Sequence, residues 1–598
     1  MIDLVLRGAL AARLAASALL ALALQWPAAG HAKCQLQALE IPVRMVSHRA
    51  IATVTINGTP VPLIVDSGAF FSFLTEAAAQ QLQLTTRAIP FGARIEGVTG
   101  SIDTRMTRVK HLGLSGGDLQ DMEFLVGGNE AGGGGMGLLG RNILSMMDAE
   151  YDLAHGMIRI LKTNGECDKA GMAYWAGDAA VSTVDLLDDA HDLRPAIRAK
   201  LRLNGREVDA LFDTGATTVV SLDAARSAGV KDADMKRVGR MGGAGRDKAD
   251  EWTAPFDRVE LGGEAVLHNH LAVGDFQLRG ADVLVGIDFF LSHHLYVSKA
   301  QHRMYFTYNG GPVFALNTSS RPDPAASGAE SAASGPGDTP TADEYARRGA
   351  ASLARQDTQS ALADLDRACE LEPGNGAFFA MRARVHAQRK DADSTLRDLD
   401  TALRLDPGLA DARMERASLR HFKGQRDAAL QDLSTLDGAL PPQSQIRFAM
   451  ARLYENLEMP AAALAQWNQW MAAHRHDTAL EHAYDGRCRM RAELGIELDK
   501  ALDDCAEAVD ADPKNPSHLD SRAWVWMRLD KLAKAKADFD RSLAIRPDSA
   551  DALYGRGLVQ LRLGETAQAQ ADLAAARRIT PGIDAHLQRL GLPTAPAP

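Results

Sequence analysis

Cysteine is scarce, with 5 in 598 residues. So few crosslinks cannot hold a chain of this length together, and apolar burial must do most of that work. Long apolar runs are also missing beyond the N-terminus, which excludes a polytopic membrane protein. An excess of positive charge is missing too. The chain carries 77 Asp and Glu against 66 Lys and Arg, a net charge of −11, so nucleic acid is a poor default partner and none is expected. Serine and histidine occur, but no nucleophile-elbow sequence supports a serine hydrolase. At 46% hydrophobic and 24% charged residues the composition is that of soluble globular domains.

What is present begins with a leader. Arg7 and Arg13 come before or at the start of the apolar run Leu14–Leu24, about 11 residues, too short to cross a bilayer and suited to a signal-peptide core. Gly30-His31-Ala32 offers a cleavage site before Lys33, and Lys33 leaves Cys34 without the small residue a lipoprotein signal needs. Residues 1–32 are therefore expected to be a signal peptide. The mature protein would be exported, periplasmic or secreted, with no stable membrane span after cleavage. Export permits disulfides. Cys34 could pair with Cys167, and Cys488 with Cys505 across a helix turn near Ile496, leaving Cys369 over; buried free thiols are the alternative for each pair.

The chain repeats itself on two scales. Asn57-Gly58 lies just ahead of Asp66, and Asn204-Gly205 just ahead of Asp213, with the same spacing. Asp66 opens Asp-Ser-Gly-Ala and Asp213 opens Asp-Thr-Gly-Ala. Gly140 follows Asp66 by 74 residues and Gly286 follows Asp213 by 73, each ending an apolar run and each followed two positions on by Asn142 or Asp288. Alternating strands flank the Asn-Gly turns, and short helices are expected over Thr75–Leu82 and Leu222–Ala228. Each half reads as a mainly β unit, over 33–165 and 166–316.

The second repeat lies beyond Thr341. Pro373, Pro407 and Pro441 are 34 residues apart, as are Pro513, Pro547 and Pro581. Small residues recur at Gly349, Ala383, Ala417, Ala523 and Gly557, and large apolar ones at Leu365, Leu399, Leu433, Phe539 and Leu573. This pattern resembles tetratricopeptide repeats. The resemblance implies an all-α solenoid of seven helix pairs over 342–598, the fourth and fifth degenerate, that binds a protein partner. Trp467 and Trp470 are expected to pack inside it. Residues 317–341, rich in Ser, Ala, Gly and Pro, read as a flexible linker that would let the array move.

The acidic turns carry the chemistry. An apolar strand delivers each Asp to a tight turn, where Ser67 or Thr214 can tie the turn through its hydroxyl and Gly68 or Gly215 relieves the backbone. Two copies could meet about a pseudo-twofold axis and place two carboxylates on one water. In these residues each half resembles a retropepsin-type aspartic protease unit, over about residues 45–310. Ala69 and Ala216, following the glycines, favour the retropepsin style. The resemblance implies an all-β retropepsin-like or pepsin-like pseudo-dimer with Asp66 and Asp213 catalytic. Ser67, Gly68, Ala69, Thr214, Gly215, Ala216, Gly140 and Gly286 would support the turns.

Two carboxyls sharing one proton would let one act as base on water while the other polarises the scissile carbonyl. The resemblance calls for no metal and no other cofactor. Gly97, Gly100, Gly242 and Gly243 lie where flaps would fall, without a flap Tyr. His268, His270, His293 and His294 read as exposed loop and strand histidines rather than ligands. The function expected is an aspartic endopeptidase acting on a peptide or protein substrate, its units paired within one chain. The alternative is a peptide-binding scaffold on a protease-like platform.

Overall fold

A computed structural model describes residues 34–89, 95–97, 100–102, 104–127, 135–187, 196–242, 248–277, 280–311, 313–314, 340–475, 477 and 479–595. The leader expected over 1–32 and nearly all of the linker expected over 317–341 lie outside these residues.

Two β-barrels are built on the same plan. In each, the Asn-Gly pair reverses the chain with positive φ at both residues (49° and 85° at Asn57 and Gly58, 49° and 82° at Asn204 and Gly205). That is the two-residue hairpin geometry which suits twisted strands. It sets the registers Ile56↔Thr59 and Leu203↔Arg206. The returning strands, Thr59–Val65 and Arg206–Phe212, sit between their hairpin partner and a short parallel strand, Gly137–Leu139 or Val283–Val285. Each barrel closes through a long strand, with Thr55↔Gly113 in the first and Arg202↔Glu260 in the second. The expected helices form over Glu76–Gln81 and Leu222–Ser227, capped by the hydroxyls of Thr75 and Ser221.

The barrels are joined by one sheet that both units build. Its order is Ser182–Asp185, Arg303–Tyr308, His293–Ser298, Asp148–Asp152, Met157–Gly165, Cys34–Val46. The seam between units is Ala149↔Val297 and Tyr151↔Leu295. The two halves thus pair within one chain. Cys34 and Cys167 form a disulfide at one edge of this sheet, Cys488 and Cys505 form a second in the helical region, and Cys369 is a buried free thiol.

Among the described residues fifteen helices follow, from Ala342–Ala354 to Ile583–Arg589, as seven antiparallel pairs and a short last helix. The small residues of the repeat are buried where paired helices meet. A Cβ on Gly349 would lie 2.8 Å from Leu365, and one on Gly557 2.9 Å from Leu573. Trp467 and Trp470 are fully buried. A recurrent ion pair reinforces three of the steps. Arg382 forks onto Asp398 of its own pair (2.7 and 2.8 Å) and reaches Asp366 of the preceding pair (2.8 Å), and Arg416 and Arg556 repeat this with Asp432 and Asp400, and with Asp572 and Asp540.

One expectation changes. The array is not free of the β body: Ala342, Ala346, Ala350, Leu365, Phe378 and Val385 share one apolar core with both barrels. Arg355 donates to the Leu291 carbonyl at 3.2 Å. The first helix pair therefore spends its outer apolar face on the β units, and a linker composition alone did not reveal that contact. No described helix is long and apolar enough to cross a membrane.

Candidate active site

Each acidic turn is braced by the segment that the matched glycines end. The Asp66 amide donates to the Leu139 carbonyl (3.0 Å), and the Asp213 amide to that of Val285 (2.8 Å). Gly140 and Gly286 sit where no side chain fits. A Cβ on Gly140 would lie 2.6 Å from the Phe71 carbonyl, and one on Gly286 2.3 Å from that of Thr217. Ala69 and Ala216 accept from Arg141 and Ile287 at 2.9 and 2.8 Å, which locks the turns onto the segments behind them.

The two turns meet, and the hydroxyls, expected to tie their own turns, bond across to the opposite turn instead. Each crosses to the other unit. Ser67 Oγ donates to the Phe212 carbonyl and accepts from the Thr214 amide, both at 3.0 Å. Thr214 Oγ1 donates to the Val65 carbonyl (2.8 Å) and accepts from the Ser67 amide (3.0 Å). Both side chains are buried. Four hydrogen bonds satisfy six polar groups reciprocally beneath the carboxyls, which fixes the two turns against each other.

Gly68 and Gly215 are glycine for lack of room rather than for an unusual backbone. A Cβ on Gly68 would lie 2.4 Å from Asp213 Cγ, and one on Gly215 2.5 Å from Asp66 Cγ. Each glycine of one unit faces the carboxyl of the other. The Gly68 amide reaches Asp213 Oδ1 at 3.2 Å, the Gly215 amide reaches the same oxygen at 2.8 Å, and the Ala69 amide reaches Asp66 Oδ1 at 2.6 Å. The Asp66 carboxyl is held well above the ordinary carboxylate range, first by burial, then by the neighbouring Asp213 and its hydrogen bond. The Ala69 amide and the Arg49 charge oppose this but do not outweigh it.

Further residues belong to the site that the motifs did not single out. Ser72 Oγ bonds Asn142 Oδ1 (2.7 Å) and accepts from the Gly140 amide (2.9 Å). Thr218 does the same with Asp288 (2.6 Å) and Gly286 (2.8 Å). Both hydroxyls precede their glycine by 68 residues. That equality was the available signal. It places the one-residue difference between the halves at Phe70-Phe71, against the single Thr217. Phe70 is 53% exposed, with the Arg141 guanidinium 5.4 Å from its ring. Arg49, from the first unit, donates to the Gly215 carbonyl of the second.

Gly97 and Gly100 pair at the closed end of a hairpin, and Gly242 pairs with Lys248 at the end of another; Gly243 lies outside the described residues. His268 and His270 are exposed as expected, but His293 and His294 are not. They are buried in the sheet between units, bonded to Glu264 and Glu150 at 3.0 Å. Burial would raise the Glu150 carboxyl, but the bond from His294 and the Arg159 charge hold it below its usual range.

The family comparison agrees with this geometry. The two β units match the aspartyl protease family over residues 52–143 and 199–289. Both matched segments contain their acidic turn and the start of the helix behind it. Among solved structures the helical region is similar to a tetratricopeptide repeat protein from Parabacteroides merdae. That pair shares 20% identity over 42% of this chain and 98% of the other, with a TM-score of 0.32. It is also similar to the C-terminal part of a tetratricopeptide repeat-containing protein from Cytophaga hutchinsonii, at 15% identity over 36% of this chain and 87% of that one, TM-score 0.29. The solenoid assignment stands on the helix pairs and their period rather than on these overlaps. No curated protein matches the chain.

Proposed function

We propose that the protein is an exported aspartic endopeptidase whose two tandem units each contribute one catalytic Asp. The observation that carries this reading is the meeting of Asp66 and Asp213 over the crossed hydroxyls of Ser67 and Thr214. Two carboxyls this close cannot both ionise easily, so the pair holds one proton and titrates as a unit. The ionised member takes a proton from the attacking water. The protonated member donates a hydrogen bond to the scissile carbonyl and later a proton towards the leaving nitrogen. The support beneath the dyad keeps both carboxyls in place without reorganisation at the moment of reaction.

Purified mature protein should cleave members of a peptide library at acid pH, and Asp66→Asn and Asp213→Asn should each abolish cleavage. Activity that survives both single changes would refute the shared-proton mechanism, and binding without product would favour the scaffold reading. The leader motivates the proposed export. Cell fractionation with N-terminal sequencing should find a periplasmic or secreted chain beginning near Lys33.

A further inference from the structure

The two β units follow one plan so closely that a departure from it beside the dyad needs a reason of its own. Placed by the acidic turns, Arg49 has Ala196 as its counterpart, and Phe70-Phe71 stand where the second half has Thr217 alone. Folding of a unit needs neither, since the second barrel closes without them.

Both departures lie against an acidic turn, and against different ones. Arg49 leaves its own unit and donates to the Gly215 carbonyl in the turn of Asp213. It is half-buried, and its charge acts on Asp66 and on the neighbouring His48. Among the described residues no carboxylate makes an ion pair with Arg49, so most donors of its guanidinium fork are left for a ligand. Phe70 follows Ala69, whose amide bonds Asp66 Oδ1. It is 53% exposed, whereas Arg141, with its guanidinium 5.4 Å from the ring, is only 9% exposed. What the first turn presents to solvent is therefore the aromatic ring rather than that charge.

We propose that Arg49 and Phe70 set the cleavage specificity: the site takes a peptide with an acidic side chain on the Asp213 flank of the scissile bond and a large apolar one on the Asp66 flank. The inference rests on the protease reading given above. A scissile carbonyl held between the two carboxyls leaves the peptide running past both turns, so each flank meets one of these side chains. At the second turn a substrate carboxylate can take the remaining donors of Arg49 in the paired geometry that a guanidinium favours. At the first turn an apolar side chain covers the exposed ring, and both surfaces leave water. The counterparts Ala196 and Thr217 offer neither a charge nor a ring, so each preference belongs to one flank.

The test uses the full mature protein at about pH 6, where a substrate Glu is ionised. Peptides sharing one core sequence carry Glu or Lys on one flank of the bond and Leu or Asn on the other, in both orientations. In the favoured orientation kcat/KM should be about tenfold or more higher for Glu than for Lys, the worth of one hydrogen bond to a charged group. Leu should exceed Asn by about tenfold or more through burial. Arg49→Gln, which can still donate to the Gly215 carbonyl, should bring the Glu-to-Lys ratio to about one, and Arg49→Lys should keep it well above one. Phe70→Ser should bring the Leu-to-Asn ratio to about one and spare the Glu-to-Lys ratio. If Arg49 only braced the turn, its variants would slow all peptides alike and leave both ratios as they were, which would overturn the proposal. Fluorescent versions of the peptides should bind the Asp66→Asn variant in the same order of affinity, a readout that needs no cleavage. Either ratio near one in the wild-type assay and in binding, or no binding at all, would also overturn the proposal. Binding that follows both preferences while the wild type cleaves no peptide would instead refute the protease reading.

Discussion

Replacing Thr214 by Val tests whether the crossed hydroxyls hold the two units in register. Valine keeps the branched shape, so the change removes polarity and leaves little cavity. Two groups lose their partner: the Ser67 amide and the Val65 carbonyl, bonded to Thr214 Oγ1 at 3.0 and 2.8 Å. An unsatisfied buried donor or acceptor costs about 1–3 kcal/mol, so the pair should cost about 2–6 kcal/mol. The loss should be local to the β body. Hydrogen exchange read by mass spectrometry over segments 59–72 and 206–220 should accelerate by about 30-fold or more, the lower limit converted at 1.4 kcal/mol per tenfold. Segments of the array such as 516–563 should keep their wild-type protection. Ser67→Ala should produce the mirror effect, and the double variant should lose less than the sum, since both changes open the same network. Acceleration below about threefold in both β segments would refute the idea that these bonds brace the dyad.

Three other outcomes follow from the geometry. Burial, with Glu455 and Glu458 adding to it, pushes the Glu493 carboxyl up from 4.5 to about 7, so the folded array prefers its protonated form. The stability that this group contributes should therefore be full below about pH 4.5 and be lost, about 3 kcal/mol in all, as pH rises through about 7; Glu493→Gln should remove that loss from urea unfolding followed between these pH values, and an unchanged pH dependence would count against this account. Reducing the Cys34–Cys167 disulfide, which spans 133 residues, should destabilise the β body by about 4 kcal/mol, seen as a lower thermal midpoint that Cys34→Ser reproduces. Gly68→Ala should cut kcat/KM by at least about a hundredfold with the far-ultraviolet spectrum retained, because its Cβ would displace the Asp213 carboxyl, 2.4 Å away.

The parts of this molecule that follow from spacing were legible in the sequence. Asn-Gly pairs, acidic turns and matched glycines each impose a local geometry, so their repetition announced two like units before any contact was known. The 34-residue period fixed the buried small and large positions of the solenoid in the same way. Contacts between distant segments were not legible. Nothing local to Ser67 says that its hydroxyl crosses to Phe212, and nothing local to Arg49 says that it reaches Gly215. His293 and His294 read as exposed because their acidic partners come from other strands, Glu264 and Glu150. The Arg–Asp ladder was visible in principle, since Arg382 and Arg416 both precede a repeat proline by 25 residues, but charged residues on a helix are ordinarily taken as solvated.

A peptide has a direction, and an active site with true twofold symmetry offers the same surface whichever way the chain enters. Two fused units are released from that constraint, because each can change without the other. Phe70 has one residue in its favour that the second half lacks, and Arg49 has Ala196 at the matching place ahead of the second Asn-Gly turn. The two sides of the dyad are therefore chemically unlike. In the proposed protease that difference would let a peptide be told head from tail before any bond is broken, which a pair of identical subunits must instead leave to the substrate.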